Sequence, residues 1–476
     1  MQLFTSEDLK KLERALERKI EEVEFWRQYA LKKKGRSALE ELKEELERLR
    51  AFIGSPEAEA FLRKLNDGTF TFVPGEVFFV VNPYFGKARL TYRFPKEAYE
   101  SRWAARLTAD KIRAFLKEQG AHLLQPPRPK VVRELISKLR SLKNEAVLLR
   151  GDFKDYTLNV PREALYEQLN SLGLEEVLVR LVRNFLEAGN EVSVKLTRYP
   201  VVEFFSKFDE FAQDAVFRAE LNAQGVIPGS PLSNVLGQTF LIPFDERMRA
   251  LAGEEGFYAR FLDDFILIVP AERADEAERE VKRLVRKLYR GHPLVERGEE
   301  EKLFRLEQKG KLPRPFEFLG YAFKPGGKVS VRYKTLKKFA LKYLYEYRFR
   351  GPYEPEAFGR YLFAKSAYLH RWCYSFVEVN DKKLLDELTV KFVLPELYDA
   401  LYAFFKRLEP DARRRKELTR SVFKRLKPYF KLTVIHRLLR KHCRSLSCEE
   451  ELRRLVLRVR EAVEEVFKEL KAEHAS

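Results

Sequence analysis

The chain has 476 residues, too many for one compact core, so two to four domains or lobes are expected. Its 45% hydrophobic and 13% aromatic content can fill a large core and excludes global disorder. The formal charge of +19, from 91 Lys+Arg against 72 Asp+Glu, suits a polyanionic partner such as nucleic acid. Adaptation to heat raises both signs of charge and does not explain that imbalance.

Thr5-Ser6-Glu7-Asp8 reads as a helix start, and Leu9, Leu12, Leu16, Ile20 and Val23 follow at helical spacing. After Gly35-Arg36-Ser37, a second stripe runs through Leu39, Leu42, Leu46, Leu49 and Ile53, so residues 1–55 read as a helical hairpin. From Phe70 to Arg93 the chain turns β-like around Gly86-Lys87, and a helix-rich stretch follows to about Asn144. Ala146 to Leu149 is a short buried strand that ends at Gly151-Asp152.

Helices then alternate with two apolar runs, Phe257 to Arg260 and Phe265 to Val269, joined at Asp263-Asp264. A further hairpin is expected from Phe318–Phe323 and Lys328–Val331 around Pro325-Gly326-Gly327. Beyond about residue 335 the sequence is almost wholly helical and basic, with Arg413-Arg414-Arg415-Lys416 and Lys424-Arg425-Leu426-Lys427 as charge clusters. Those clusters read either as a surface gripping nucleic acid or as a solvated helical face.

Cys373, Cys443 and Cys448 are an odd count without framework spacing, which fits a reducing compartment. His436, His442, Cys443 and Cys448 cluster loosely but match no common zinc spacing. The N-terminus is polar and no apolar run reaches membrane-spanning length, so the chain reads as soluble and cytoplasmic.

Three distant elements fit one chemistry. Asp152 ends a strand, Gly225 to Ser233 is a Gly/Pro-rich turn feeding a helix from Asn234 to Phe240, and Asp263-Asp264 sits at a hairpin tip. Adjacent like-charged acids are costly to bury unpaired, and a divalent cation removes the repulsion. Nucleotidyl transfer needs acids on neighbouring strands, so that two Mg2+ ions share carboxylate oxygens about 4 Å apart.

These segments together resemble reverse transcriptases. The Asp152 segment is similar to their first catalytic motif, and Gly229-Ser230-Pro231-Leu232-Ser233 to the "QGSPLS" element of bacterial members. Phe261-Leu262-Asp263-Asp264 resembles "YxDD", including the preceding aromatic-x-Arg, and Phe318-Leu319-Gly320-Tyr321 resembles the "FLGY" primer-grip hairpin. With the fingers-like Leu62 to Arg89, the resemblance runs in order from about residue 60 to 375.

The resemblance implies an α+β right-hand polymerase fold. Its parts would be an N-terminal helical hairpin (1–60), fingers (61–145), a palm with an antiparallel sheet (146–330, with a fingers segment at about 161–220), a helical thumb (331–380) and a basic helical C-terminal domain (381–476). It further implies Asp152, Asp263 and Asp264 as catalytic acids. With the Phe153 backbone carbonyl they would hold two Mg2+ ions, Mn2+ being the alternative ion. Arg89 would clamp the incoming triphosphate, unless it is only an exposed strand arginine; Lys302 would steady pyrophosphate, unless it is a solvated helix end. Asp155, the motif's second acid, reads equally as a capping group. Tyr156, Thr157, Gly229 and Ser230 would line the nucleotide, and Leu319, Gly320 and Tyr321 would grip the primer.

Two departures stand out. Thr157 occupies the place where the family has a bulky aromatic that excludes a ribose 2′-OH, with Tyr156 as a neighbouring substitute. Ile227-Pro228 replaces the usual Pro-Gln. Trp372 and Tyr374 read either as base-stacking residues or as core.

No nuclease, maturase or integrase-like segment follows the thumb, and Gly327-Lys328-Val329-Ser330-Val331 stands where retron enzymes carry "VTG". The remaining resemblance is to defence-associated and abortive-infection reverse transcriptases of bacteria. Expected partners are an RNA template, a DNA product and dNTPs, with a structured non-coding RNA and an oligomer as open alternatives. Template-independent or protein-primed synthesis, a mobile-element, CRISPR-linked or diversity-generating role, and a non-catalytic RNA-binding scaffold are the competing readings.

Overall fold

The computed structural model describes residues 2–27, 34–82, 87–120, 126–142, 144–189, 193–195, 225–226, 228–346, 354–442 and 448–475. Helices alternate with mostly antiparallel strands. The chain divides into two compact units. The first comprises Met1–Arg18, Leu42–Val131 and Ser137–Leu312, and the second Lys19–Glu41, Val132–Ile136 and Pro313–Ser476.

Helices Ser6–Arg27 and Lys34–Phe52 form where the leucine spacing predicts them, and Leu9, Leu12, Leu16, Leu46 and Leu49 are buried. Among the described residues the first unit holds seven strands: β1 (Glu76–Asn82), β2 (Lys87–Arg93), β3 (Ala146–Phe153), β4 (Ser193–Lys195), β5 (Phe257–Phe261), β6 (Asp264–Pro270) and β7 (Phe304–Lys311). β1 and β2 are the expected antiparallel pair, and β4, which the sequence did not signal, adds to β1 in parallel. Gly86, placed at their turn, lies outside the described residues.

The second sheet has the order β5-β6-β3-β7 and is antiparallel throughout. β3 is longer than the apolar run suggested, because pairing with β6 and β7 carries it on through Gly151 and Asp152 to Phe153. Residues alternate between faces along each strand. One face carries Phe153, Phe265 and Phe304 and packs on helices Ile242–Ala252 and Ala274–Leu288. The rings of Phe153 and Phe304 lie 4.9 Å apart, and those of Phe265 and Phe304 are parallel at 5.9 Å. Phe244 and Tyr289 close the cluster around Phe153, at 5.5 and 6.1 Å. Gly151 is the register partner of Phe265, and a Cβ there would sit 2.2 Å from that ring. Only glycine lets the ring lie flat across the central strand.

The second unit carries a three-stranded sheet of β8 (Phe316–Phe318), β9 (Tyr321–Lys324) and β10 (Lys328–Val331). Phe318–Phe323 is therefore not one strand, as its sequence suggested. It breaks at Leu319-Gly320, where both residues have positive φ, 52° and 83°. The rest of this unit is helical, as expected. Helix Pro355–Ser375 packs against helices Leu432–His442 and Cys448–Ala475, with Leu362, Leu369 and Cys373 buried, while Phe358 stacks on Phe404 at 4.2 Å. Trp372 is core, its ring 4.4 Å from Phe339 and 5.2 Å from Phe376. Within the loose His/Cys cluster, only the side chain of His436 is described, and it is buried. Among the described residues no helix is long and apolar enough to cross a membrane.

Gly151→Ala is expected to destabilise the protein by about 1–3 kcal/mol, because the added methyl meets a ring with no room to retreat. Urea denaturation measures this, and an unchanged midpoint would mean that Phe265 can repack.

Candidate active site

The β5–β6 hairpin closes at the Phe261↔Asp264 pair, so its two turn residues are Leu262 and Asp263. Leu262 has φ 57°, a left-handed conformation that costs a non-glycine residue about 1–2 kcal/mol. Arg260 holds it from beneath. Its Nη1 donates to the Leu262 carbonyl at 2.7 Å, while Nε and Nη2 reach the two carboxylate oxygens of Asp245 at 2.7 and 2.6 Å. Tyr258 adds its hydroxyl to the same carboxylate at 2.5 Å. The Arg260 side chain is only 2% exposed. Burial opposes its charge, but Asp245 outweighs that penalty and raises the arginine pKa further. The Tyr258 hydroxyl is pushed well up by burial and by the facing Asp245.

The sheet register decides where the acids go. Asp152 on β3 lies directly opposite Asp264 on β6, which puts both side chains on one face with Cβ atoms about 5 Å apart. The Phe153 amide donates to the Asp263 carbonyl at 2.9 Å, tying the hairpin turn to the end of β3. The three acids thus converge from two segments more than a hundred residues apart. Asp152 and Asp263 are exposed and Asp264 is half-buried.

They do not stand equivalently. Arg150, two residues before Asp152 on the same face of β3, forks onto Asp264 at 3.1 and 2.9 Å. Burial disfavours the Arg150 charge, but Asp264, Asp152 and Glu307 outweigh it and raise its pKa. On the other side of Asp152, Arg305 of β7 is its register partner. Among the described residues no three His, Cys, Asp or Glu side chains are grouped to hold a metal together. The bidentate ion pair accounts for Asp264, whose two oxygens already face Arg150. Asp152 and Asp263 are exposed carboxylates, hard-oxygen donors of the kind that suits Mg2+ or Mn2+.

The other expected site residues divide. Phe153 buries its ring in the aromatic cluster, leaving only its backbone beside the acids. Tyr156 is turned into the core and donates its hydroxyl to the Gly237 carbonyl, so it does not face a nucleotide. Thr157 next to it is half-buried, and its carbonyl accepts from Val226 at 2.7 Å. Gly225 makes that approach possible, since a Cβ there would lie 2.1 Å from the Leu158 carbonyl oxygen. Ser230 caps helix Pro231–Phe240 by accepting from the Leu232 amide at 3.2 Å, so this helix starts three residues earlier than expected. Gly229, with φ 128°, is exposed at the same turn.

Arg89 lies on β2 opposite Val80, and its side chain is outside the described residues. Lys302 is 57% exposed and paired with Glu299 at 3.0 Å. Asp155 is exposed with φ 43°. Leu319 and Gly320 form the strained β8–β9 turn of the second unit, and Tyr321 is buried, its hydroxyl 3.1 Å from the Ser375 carbonyl. Sequence reasoning missed Arg150, Asp245 and Arg305. Arg150 was discoverable, because an arginine two residues before a strand-end acid must share its face.

No protein-family model and no curated protein matches the chain. Among solved structures it is similar to apo telomerase from Candida tropicalis, at 11% identity and a TM-score of 0.38, over 85% of this chain and 66% of that one. It is similar to telomerase from Candida albicans in complex with a TWJ fragment of telomeric RNA, at 12% identity and a TM-score of 0.36, over 82% and 67%. A Candida tropicalis telomerase truncated from its C-terminal domain aligns at 13% identity and a TM-score of 0.35, over 55% of each chain. The chain thus spans about half to two thirds of these proteins. Superposition this loose assigns no role to any residue.

Asp245→Ala is expected to cost about 3–5 kcal/mol, because Arg260 is left buried without its counter-charge. Replacing both by apolar residues should recover most of that loss in a denaturation experiment. Equal destabilisation by the single and double variants would contradict this role for the pair.

Proposed function

We propose that the chain is an RNA-directed DNA polymerase of the right-hand class, with the β5-β6-β3-β7 sheet as its palm. One observation carries the reading. Asp152 and Asp264 oppose each other across β3 and β6, while Asp263 is exposed on the adjoining turn. Like charges set face to face repel, and a divalent ion beside them would add to what Arg150 already offsets at Asp264. In this reading Asp152, Asp263 and the Phe153 carbonyl hold the metal, and Asp264 stands beside them. Bound magnesium would lower the pKa of the attacking hydroxyl and neutralise the departing pyrophosphate.

The chain's own residues supply orientation. Arg150 and Arg260 fix the two carboxylate-bearing segments, and the Val226 amide donates to the Thr157 carbonyl. Arg89 is the proposed triphosphate clamp. The net charge of +19 and the basic face of helix Ala412–Phe430, where Arg413 is 90% exposed, suit an RNA template and a DNA product. A bacterial defence role, resting on the motif resemblance, and a cytoplasmic setting, resting on the polar N-terminus and the cysteine usage, complete the proposal.

Purified protein with Mg2+, labelled dNTPs and a primed RNA template is expected to extend the primer. Asp263→Asn should reduce turnover by several orders of magnitude, while RNA affinity measured by filter binding stays nearly unchanged. If the wild type extends no primed template with Mg2+ or Mn2+ yet binds RNA tightly, the scaffold reading replaces this one. Thr157→Phe should raise the dNTP-over-rNTP preference, since Tyr156 is unavailable as a gate. An unaltered ratio in single-nucleotide incorporation would place the discriminating group elsewhere.

A further inference from the structure

In the second unit, Tyr333 is 77% exposed, ahead of Val390 at 64% among the large apolar or aromatic side chains of the described residues. One exposed tyrosine is ordinary, and its neighbours make this one informative. It opens helix Tyr333–Leu341, whose first turn contains no acid and whose cap residue, Arg332, makes no side-chain capping bond. Lys334 and Lys337 are exposed on the same two turns, and Lys337 lies four residues on, on the face of Tyr333. The helix dipole disfavours cations at this end, so local stability does not explain them.

The Arg332 amide donates to the Gly320 carbonyl at 2.9 Å, fastening Tyr333 beside the Leu319-Gly320 turn. Leu319 keeps φ 52° there, a conformation that leucine adopts only under constraint. Arg332 itself is paired with Glu317, its Nε 3.8 Å from the carboxylate.

We propose that Tyr333, with Lys334 and Lys337, is a stacking platform for a single nucleic-acid strand. A base lies on the phenol ring and the flanking phosphates meet the cations. A flat, exposed ring bordered by positive charge fits a base and its phosphates, the ring face taking the base and the cations the backbone. The inference deepens the proposed polymerase by placing part of its strand contact, but its test needs neither metal nor nucleotide.

The full chain is titrated into fluorescein-labelled oligothymidylate and, separately, oligouridylate, and anisotropy is followed at several salt concentrations. Tyr333→Ala is expected to weaken binding of both by about tenfold, with Tyr333→Phe close to wild type. Lys337→Ala should lower the slope of log affinity against log salt by about one. In the Tyr333→Trp variant, indole emission should be quenched as the oligonucleotide saturates. Wild-type affinity in Tyr333→Ala, or unquenched emission at saturation, overturns the platform. Loss for only one of the two oligomers restricts it to DNA or to RNA and contradicts a general stacking role. Because primer extension is scored separately, an active polymerase with an indifferent Tyr333 refutes this inference alone.

Discussion

The register between β3 and β6 is the constraint on which the rest depends. It sets Asp152 against Asp264, where one residue of slip would turn one of them to the opposite face of the sheet. Repulsion between two carboxylates is offset by what lies on the other face. Phe153, Phe265 and Phe304 interlock there across Gly151, and each buried ring contributes about 2–3 kcal/mol. The aromatic layer holds the strands in the only alignment that presents the acids together.

A second device keeps the hairpin tip in place. Leu262 sits in a strained conformation, and Asp263 follows it at the exposed end of the turn. Arg260 spends its whole fork on that region, bonded to Asp245 beneath and to the Leu262 carbonyl above. Arg150 does the complementary task on the exposed face by taking Asp264. Arg150 thus pairs one carboxylate of the three, while Arg260 holds the turn that carries Asp263.

Much of this was legible from residue order. The apolar runs flanking Asp263-Asp264 announced the hairpin, and the leucine stripes announced the first two helices, because period two and period 3.6 leave different marks. The extension of β3 through Asp152 was not, since pairing partners far along the chain decide it. Tyr156 looked like a group that could line a nucleotide. Only the position of helix Pro231–Phe240, with Gly237 offering its carbonyl, shows that the ring is core. The break at Leu319-Gly320 was hidden by a continuous apolar stretch, and β4 by its three-residue length. Arg150 was passed over because charged strand residues near a sheet end are ordinary until their partner is known.

The proposed divalent-ion site at the end of the central strand is formed by Asp152 and Asp263, beside an Asp264 paired with Arg150. Anomalous scattering from crystals soaked in Mn2+ tests it most directly. A manganese peak within bonding distance of the Asp152 and Asp263 carboxylates, with Asp264 still forked to Arg150, is the predicted result. Manganese bound elsewhere while this strand end stays empty, or carboxylates turned away from each other, would contradict it.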